Sequence, residues 1–398
     1  MIKIEDMLEA YYLCRSTKRT TQSAVEFEMN YEERIVRLTK QINSRAYRPG
    51  KSICFVVTRP RHREVFAAEF TDRIGHQYIA MRLEPIMERI FGDRTFNCRK
   101  GKGQLYGINM LKNDILACSN NYTEDCYVMK IDLKGFFMSI HKPMLADMID
   151  DFVLKCYDGE DKDDLRFLCR LYIMHHPEEN CERHSPEQLW THIPKNKSLF
   201  TNDRDRGVAI GNLFAQLFAN FLMNKIDWFI DQYIPLHGRY VDDIYCVDKD
   251  KNKLLGLVPK IRNKLKELNL QLNEKKFYIQ HYSKGVTFIG SVVKPHRTYT
   301  VKHCVYNFKQ SIKKLNKSKN VSQIAQNLSS VNSYLGILKH AASYNIRRKV
   351  LSKIENRLWT YLYIRGRFEV LCLKKKYRTY DIIKNQIVKG YETGNIHK

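Results

Sequence analysis

Two adjacent aspartates, Asp242 and Asp243, stand between apolar runs in Arg239-Tyr240-Val241-Asp242-Asp243-Ile244-Tyr245-Cys246-Val247. The pattern predicts a β-hairpin with an acidic tip. A protein core does not accept neighbouring carboxylates unless they are paired or bound to a cation, because an unpaired buried charge is costly. A third carboxylate lies upstream in Tyr127-Val128-Met129-Lys130-Ile131-Asp132-Leu133-Lys134-Gly135-Phe136-Phe137, where a strand-like run ends at Asp132 and breaks at Gly135. If that strand lies beside the hairpin, Asp132, Asp242 and Asp243 share one patch. Such a patch can hold two divalent ions roughly 3.5–4 Å apart, which activate an attacking oxygen and stabilise a leaving one in phosphoryl transfer. All the ligands are hard oxygens, which suit Mg²⁺ better than zinc or copper.

The elements that must position these residues are legible from periodicity. Residues 1–50 read as helical, with Met7, Leu8, Tyr11 and Tyr12, then Ile35, Leu38 and Ile42, at helical spacing. Ile53-Cys54-Phe55-Val56-Val57 is a strand ended by Arg59-Pro60-Arg61-His62-Arg63, and Glu64 to Ala68 is its return. Arginines exposed on such a hairpin can grip a triphosphate, Arg63 above all. Helices are expected over Asp72 to Phe91, over 213–230 with Leu213, Leu217, Phe218, Phe221 and Leu222 buried, and over Lys253 to Leu268. Leu270 to Phe277 leads into a strand-turn pair at Val286 to Gly290, and the chain beyond Asn307 reads as helical and basic.

The net charge is +25 over 398 residues, and the isoelectric point is near 9.5. That excess favours a polyanionic partner through phosphate contacts and counterion release. Its distribution supports this, since residues 301–398 hold 21 Lys plus Arg against 4 Asp plus Glu. No run of 18 apolar residues and no signal-peptide pattern at Met1 to Asp6 place the protein, as an expectation, in the cytoplasm with no membrane partner. Eleven cysteines without a Cys-x-x-Cys pair fit a reducing compartment. His175, His176, Cys181, His184 and His192 cluster in a short stretch, where zinc is one reading; the spacing matches no finger, which favours a structured insertion.

The order of these motifs resembles a reverse transcriptase from about Leu8 to Arg348. The resemblance implies an α+β, right-hand polymerase fold. Its parts would be an N-terminal helical extension (1–50), fingers (51–125), a palm (126–300) with an insertion at 175–205, and a basic helical thumb and tail (301–398). Ile210-Gly211-Asn212-Leu213-Phe214-Ala215-Gln216 is the discriminating segment. Group II intron and retroviral enzymes carry Gln-Gly-x-x-x-Ser-Pro there, whereas reverse transcriptases of diversity-generating retroelements carry aliphatic-Gly-x-x-x-Ser-Gln. Ile210 and Gln216 are similar to the second pattern, and Ala215 departs from it. Cys181 through Trp190, Pro194, Lys197 to Phe200 and Asn332 to Gly336 look like the same family. No added maturase or endonuclease domain is visible.

The resemblance implies a role for each site residue. Asp132 and Asp242 would coordinate two Mg²⁺, with Mn²⁺ able to substitute, joined by the Leu133 carbonyl and more weakly by Asp243. Arg63, with Phe137, Ile210, Gly211 and Lys275, would line the dNTP, and Arg59 and Arg61 would help. Phe137 would exclude a ribose 2′-hydroxyl by bulk, while Phe136 suits the core. Lys275 would act near the pyrophosphate as general acid. Ile210 replaces a Gln that can hydrogen-bond the nucleotide sugar; one polar contact is worth about 0.5–1.5 kcal/mol, enough to erode selection up to roughly tenfold. Ile210 and Gln216 would thus set fidelity. The expected activity is copying of a template-repeat RNA into cDNA with errors opposite adenine, in a bacterial or phage setting, with a small basic helical accessory protein. Two rivals are another bacterial reverse transcriptase (retron, phage-defence or group II intron type) and a catalytically inactive RNA-binding scaffold.

Overall fold

The computed structural model describes residues 1–16, 21–58 and 61–378. The chain forms two units, one of residues 1–110 and 126–279, the other of residues 111–125 and 280–398. The fold mixes helices with small sheets, as an α+β reading requires.

In the first unit, β1 (Ser52–Val57) and β2 (Arg63–Ala67) form an antiparallel hairpin with Val57 opposite Arg63. The central sheet uses β3 (Tyr127–Ile131), and a third strand, β4 (Cys181–Arg183), joins β1 in parallel. The stretch 175–205 is therefore structured, and the Arg183 guanidinium lies 3.9 Å from the Phe200 ring centroid and 5.0 Å from that of Trp190. The acidic hairpin is β5 (His237–Tyr240) and β6 (Asp243–Asp248), with Tyr240 paired to Asp243 and only Val241 and Asp242 in the turn. Together with β7 (Tyr278–His281), along which the chain leaves this unit, the sheet order is β5-β6-β3-β7. Ile131 pairs with Ile244, so one further step of antiparallel register brings Asp132 level with Asp243.

The helices Leu213–Asp231 and Lys251–Glu267 pack against β5 and β6, and the N-terminal helices pack on other helices. Those of the N-terminal region run Ile4–Ser16, Gln22–Glu28 and Tyr31–Asn43, and Ile35, Leu38 and Ile42 are buried as their spacing demands. Met7 and Tyr11 are buried too, whereas Tyr12 is turned outward. On the helix Leu213–Asp231 the expected Phe218, Phe221 and Leu222 are buried, and Leu213 and Leu217 depart from expectation. Phe214, Phe218, Leu222, Ile226 and Ile230 form a buried i, i+4 row, while Leu213, about 100° round the helix, is 47% exposed and Leu217 half-buried.

In the second unit, β8 (Val286–Phe288), β9 (Ser291–Lys294) and β10 (Arg297–Thr300) form a meander. Ile289 and Gly290, both at positive φ, make the first tight turn. Helices Lys302–Asn316, Val321–Leu338 and Tyr344–Leu351 follow around a core that includes Phe308, Ile312, Leu328, Leu335 and Leu358. A hairpin of β11 (Leu362–Arg365) and β12 (Val370–Leu373) interrupts the expected helical tail. Asn332 fastens it, donating to the Leu371 carbonyl at 2.8 Å and accepting from the Leu371 amide at 2.9 Å.

Phe218→Ala should cost about 3–5 kcal/mol in urea denaturation because it empties a closed site, while Leu213→Ala should stay within about 0.5 kcal/mol. Comparable losses would place Leu213 back in the core.

Candidate active site

Val241 decides where the two carboxylates go. It sits at φ +59°, a region a β-branched residue seldom adopts. Two side chains hold it there: Asn97 Oδ1 accepts from its amide at 2.9 Å, and Arg239 Nη1 donates to its carbonyl at 3.0 Å. Arg239 is fully buried and is itself locked by Asp227, Nε to Oδ1 at 2.7 Å and Nη2 to Oδ2 at 2.6 Å. Thr95 Oγ1 donates to Asp227 Oδ2 at 2.8 Å, and Asn220 Oδ1 accepts from Arg239 at 3.3 Å. A buried pair so fully hydrogen-bonded can carry its desolvation cost. The turn thus puts Asp242 at the tip and Asp243 on the first residue of β6.

Asp132 is placed from the other side. An antiparallel bridge joins Leu133 to Leu272: the Asn273 amide donates to the Asp132 carbonyl at 2.8 Å and the Lys134 amide to the Gln271 carbonyl at 2.9 Å. Leu133 occupies the position whose own carbonyl these two bonds leave uncommitted. The Asn273 side chain donates to Asp132 Oδ2 at 2.9 Å. Lys276 Nζ lies 2.7 Å from Oδ1 and 2.8 Å from Oδ2. Asp243 pairs with Lys130, which is buried in β3. Burial lowers the affinity of the Lys130 amine for its proton, and the Asp243 carboxylate opposes that.

Asp242 carries the electrostatic strain. Burial, then the charges of Asp132 and Asp243, push its carboxyl up to about 6, with Lys276 opposing. Among the described residues no three His, Cys, Asp or Glu side chains close on one point as a ready-made metal cage. The donor set nevertheless fits divalent cations: hard oxygens from Asp132, Asp242 and Asp243, a Leu133 carbonyl that the bridge to Leu272 leaves unused, and a negative charge at Asp242 that Lys276 only partly offsets and a cation would relieve.

A second group of predicted residues meets at β2. Gly211, at φ +123°, passes so close to this strand that a Cβ would lie 2.7 Å from the Phe66 carbonyl, and the Phe66 amide donates to the Ile210 carbonyl at 2.9 Å. Phe137 and Ile210 both pack half-buried on the cluster of Cys54, Phe66, Met138, Leu199 and Ala209. Phe136, by contrast, is buried in the main core. Arg63 is exposed on β2, and the alternation of the strand turns its neighbour Glu64 inward, where Glu64 accepts from the Leu199 amide and from Ser198 Oγ. Ala215 is buried, and Gln216 accepts a weak bond from Cys98 Sγ at 3.8 Å. Lys275 is exposed, and its neighbour Lys276 is the lysine that touches Asp132. Arg61 is exposed, and Arg59 lies outside the described residues.

The histidine stretch is dispersed among other partners. His176 lies 3.0 Å from Glu178 and 3.3 Å from Lys142, His184 lies 2.9 Å from Glu182, and the His192 ring centroid is 5.1 Å from that of His62. Sequence reasoning missed Lys130, Asp227, Arg239, Asn97, Asn273 and Lys276. A signal existed for two of them: Lys130 and Arg239 are charges set inside apolar strand runs beside the catalytic candidates.

Residues 60–293, more than half of the chain, match the model of the reverse transcriptase family, the RNA-dependent DNA polymerases, and the chain belongs to that family. Among solved structures, apo telomerase from Candida tropicalis is similar over 78% of this chain and 57% of that one, at 15% identity and a TM-score of 0.46. The same telomerase truncated from its C-terminal domain is similar over 67% of this chain and 59% of that one, at 15% identity and a TM-score of 0.44. The chain thus spans less than two thirds of the length of either. No match was found among curated proteins. No helix among the described residues is long and apolar enough to cross a membrane.

Because the folded value of Asp242 is raised, the metal-free native state loses stability as pH climbs from about 4, the ordinary carboxylate value, to about 6, and the penalty is complete above that. Asp242→Asn should therefore raise Tm by a few degrees at pH 7.5 in EDTA, and the gain should vanish below about pH 4. Equal Tm values at pH 7.5 would mean that this carboxylate is not strained.

Proposed function

We propose that the chain is a reverse transcriptase of a diversity-generating retroelement, an RNA-directed DNA polymerase that copies a template-repeat RNA into adenine-mutagenised cDNA. What supports the polymerase reading is the register that sets Asp132 level with Asp243 on neighbouring strands, beside Asp242 in the turn. Two divalent ions, when bound, would activate the primer 3′-hydroxyl and neutralise the leaving pyrophosphate. Asp132 and Asp242 would hold them, with the Leu133 carbonyl as a further oxygen. Asn273 keeps the Asp132 carboxylate oriented, and Arg239 keeps the Asp242 turn in place. Arg63 on β2 would bind the triphosphate, and Phe137 would exclude a 2′-hydroxyl. Lys275, exposed beside Lys276, would serve the leaving group.

The retroelement class rests on the Ile210 to Gln216 segment. Ile210 packs on an apolar cluster and offers the nucleotide no hydrogen bond from its side chain. That supports loose selection of the incoming base. The partners in this reading are the template RNA, the RNA/cDNA duplex, dNTPs and a small basic accessory protein, and exposed Lys and Arg of the basic region 301–398 supply the phosphate contacts. A template repeat and a variable repeat flanking the gene would separate this reading from a retron, phage-defence or group II intron enzyme.

Asp132→Asn and Asp242→Asn should each reduce primer extension at least a thousandfold while RNA binding stays within about twofold. Extension at the wild-type rate by either variant would remove the polymerase assignment, and loss of binding would make the carboxylates structural.

Ile210→Gln restores a polar side chain beside the nucleotide and should lower misincorporation opposite template adenine by up to roughly tenfold. Sequencing of cDNA made on one template by both proteins decides this. Unchanged adenine errors would return Ile210 to a packing role.

A further inference from the structure

Two lysines neutralise the acidic patch, and they are not equivalent. Lys130 belongs to a strand of the central sheet, and its side chain is 6% exposed; leaving Asp243 would strand a buried ammonium. Lys276 ends a single helical turn, Glu274–Lys276, and its side chain is 44% exposed. It can move into water without desolvation cost, as surface ion pairs do. The turn itself is held by other bonds: Glu274 pairs with Arg262 at 3.0 Å, and the Lys276 amide donates to the Asn273 carbonyl at 3.0 Å. The side chain can therefore leave while the backbone and Asn273 stay on Asp132.

Lys276 also stands in a particular place. Its ammonium touches both oxygens of Asp132, the atoms a divalent ion would need, and it is one of the charges that reach Asp242. An ammonium and a divalent ion on the same two oxygens repel each other across a few ångströms. They compete for one position.

We propose that Lys276 is a resident cation, exchanged for the divalent ion at Asp132, and that this exchange sets the metal affinity of the enzyme. In the metal-free protein Lys276 holds the Asp132 carboxylate in place beside Asn273. The incoming ion displaces it, while Lys130 remains on Asp243 throughout. One carboxylate of the patch is thus permanently compensated and one exchangeably so. The inference rests on the reading of Asp132 as a metal ligand given above.

Mn²⁺ binding to the full chain, without nucleic acid or dNTP, tests it through the electron paramagnetic resonance signal of the free ion. Lys276→Met and Lys276→Gln should bind Mn²⁺ about three- to tenfold more tightly than wild type, because the competitor is gone. Lys276→Arg, which keeps a cation able to bridge both oxygens, should bind no more tightly than wild type. Asp132→Asn should lose the binding. If Asp132→Asn abolishes binding but Met and Gln at position 276 leave it unchanged or weaker, Lys276 is a structural partner and the exchange is wrong, with the metal site intact. If Asp132→Asn binds Mn²⁺ as wild type does, the metal reading falls and the exchange with it.

Discussion

The buried pair of Arg239 and Asp227 is the constraint on which the candidate active site depends. A two-residue turn carrying Val241 at positive φ is unfavourable by itself, of the order of 1–3 kcal/mol. It persists because both polar groups of Val241 are taken by side chains, one of them the guanidinium that Asp227 holds in a bidentate grip. Arg239 thereby links the helix Leu213–Asp231, through Asp227 and Asn220, to the segment at Thr95 and to the hairpin itself. Replacement of this pair by apolar residues could preserve packing, but it would leave the Val241 carbonyl without its donor and the tip free to relax.

Around that fixed point the charges are arranged unevenly. Asp243 is matched by a buried lysine, Asp132 by an amide and a half-exposed lysine, and Asp242 only in part, by the charge of that same Lys276. The partly matched carboxylate sits at the tip, where a cation would relieve it. The patch is thus incomplete at Asp242, while β2, Ile210, Gly211 and Phe137 gather as a separate group packed on an apolar cluster. The two sets of residues expected to handle metal and nucleotide are built by different means, one by ion pairs and the other by packing and a glycine.

Much of this was legible in the sequence because it is local. The hairpin shows as apolar alternation around two aspartates, the strand ending at Asp132 as a run broken by glycine, and the N-terminal helices as 3.6-residue spacing. What stayed hidden is long in range: Lys276 reaches Asp132 across 144 positions, and Lys130 reaches Asp243 across 113. No periodicity reports such pairs. Leu213 misled because apolarity near a helix start does not say which row meets the core, and the row of Phe214, Phe218 and Leu222 won. The β11–β12 hairpin was hidden in a basic stretch whose charge dominated its alternation, although Asn332, in a segment singled out for its resemblance, proves to be its anchor.

The inward turn of Glu64 makes the stretch 175–205 hard to dispense with. A buried carboxylate on the β1–β2 hairpin takes its hydrogen bonds from Ser198 and Leu199, and β4 supplies the outer edge of the same small sheet. Trimming this segment to make a smaller polymerase would uncover the edge of β1 and deprive Glu64 of its donors. A shortened enzyme would need an apolar residue at position 64 and a new cover for β1 before this small sheet could fold.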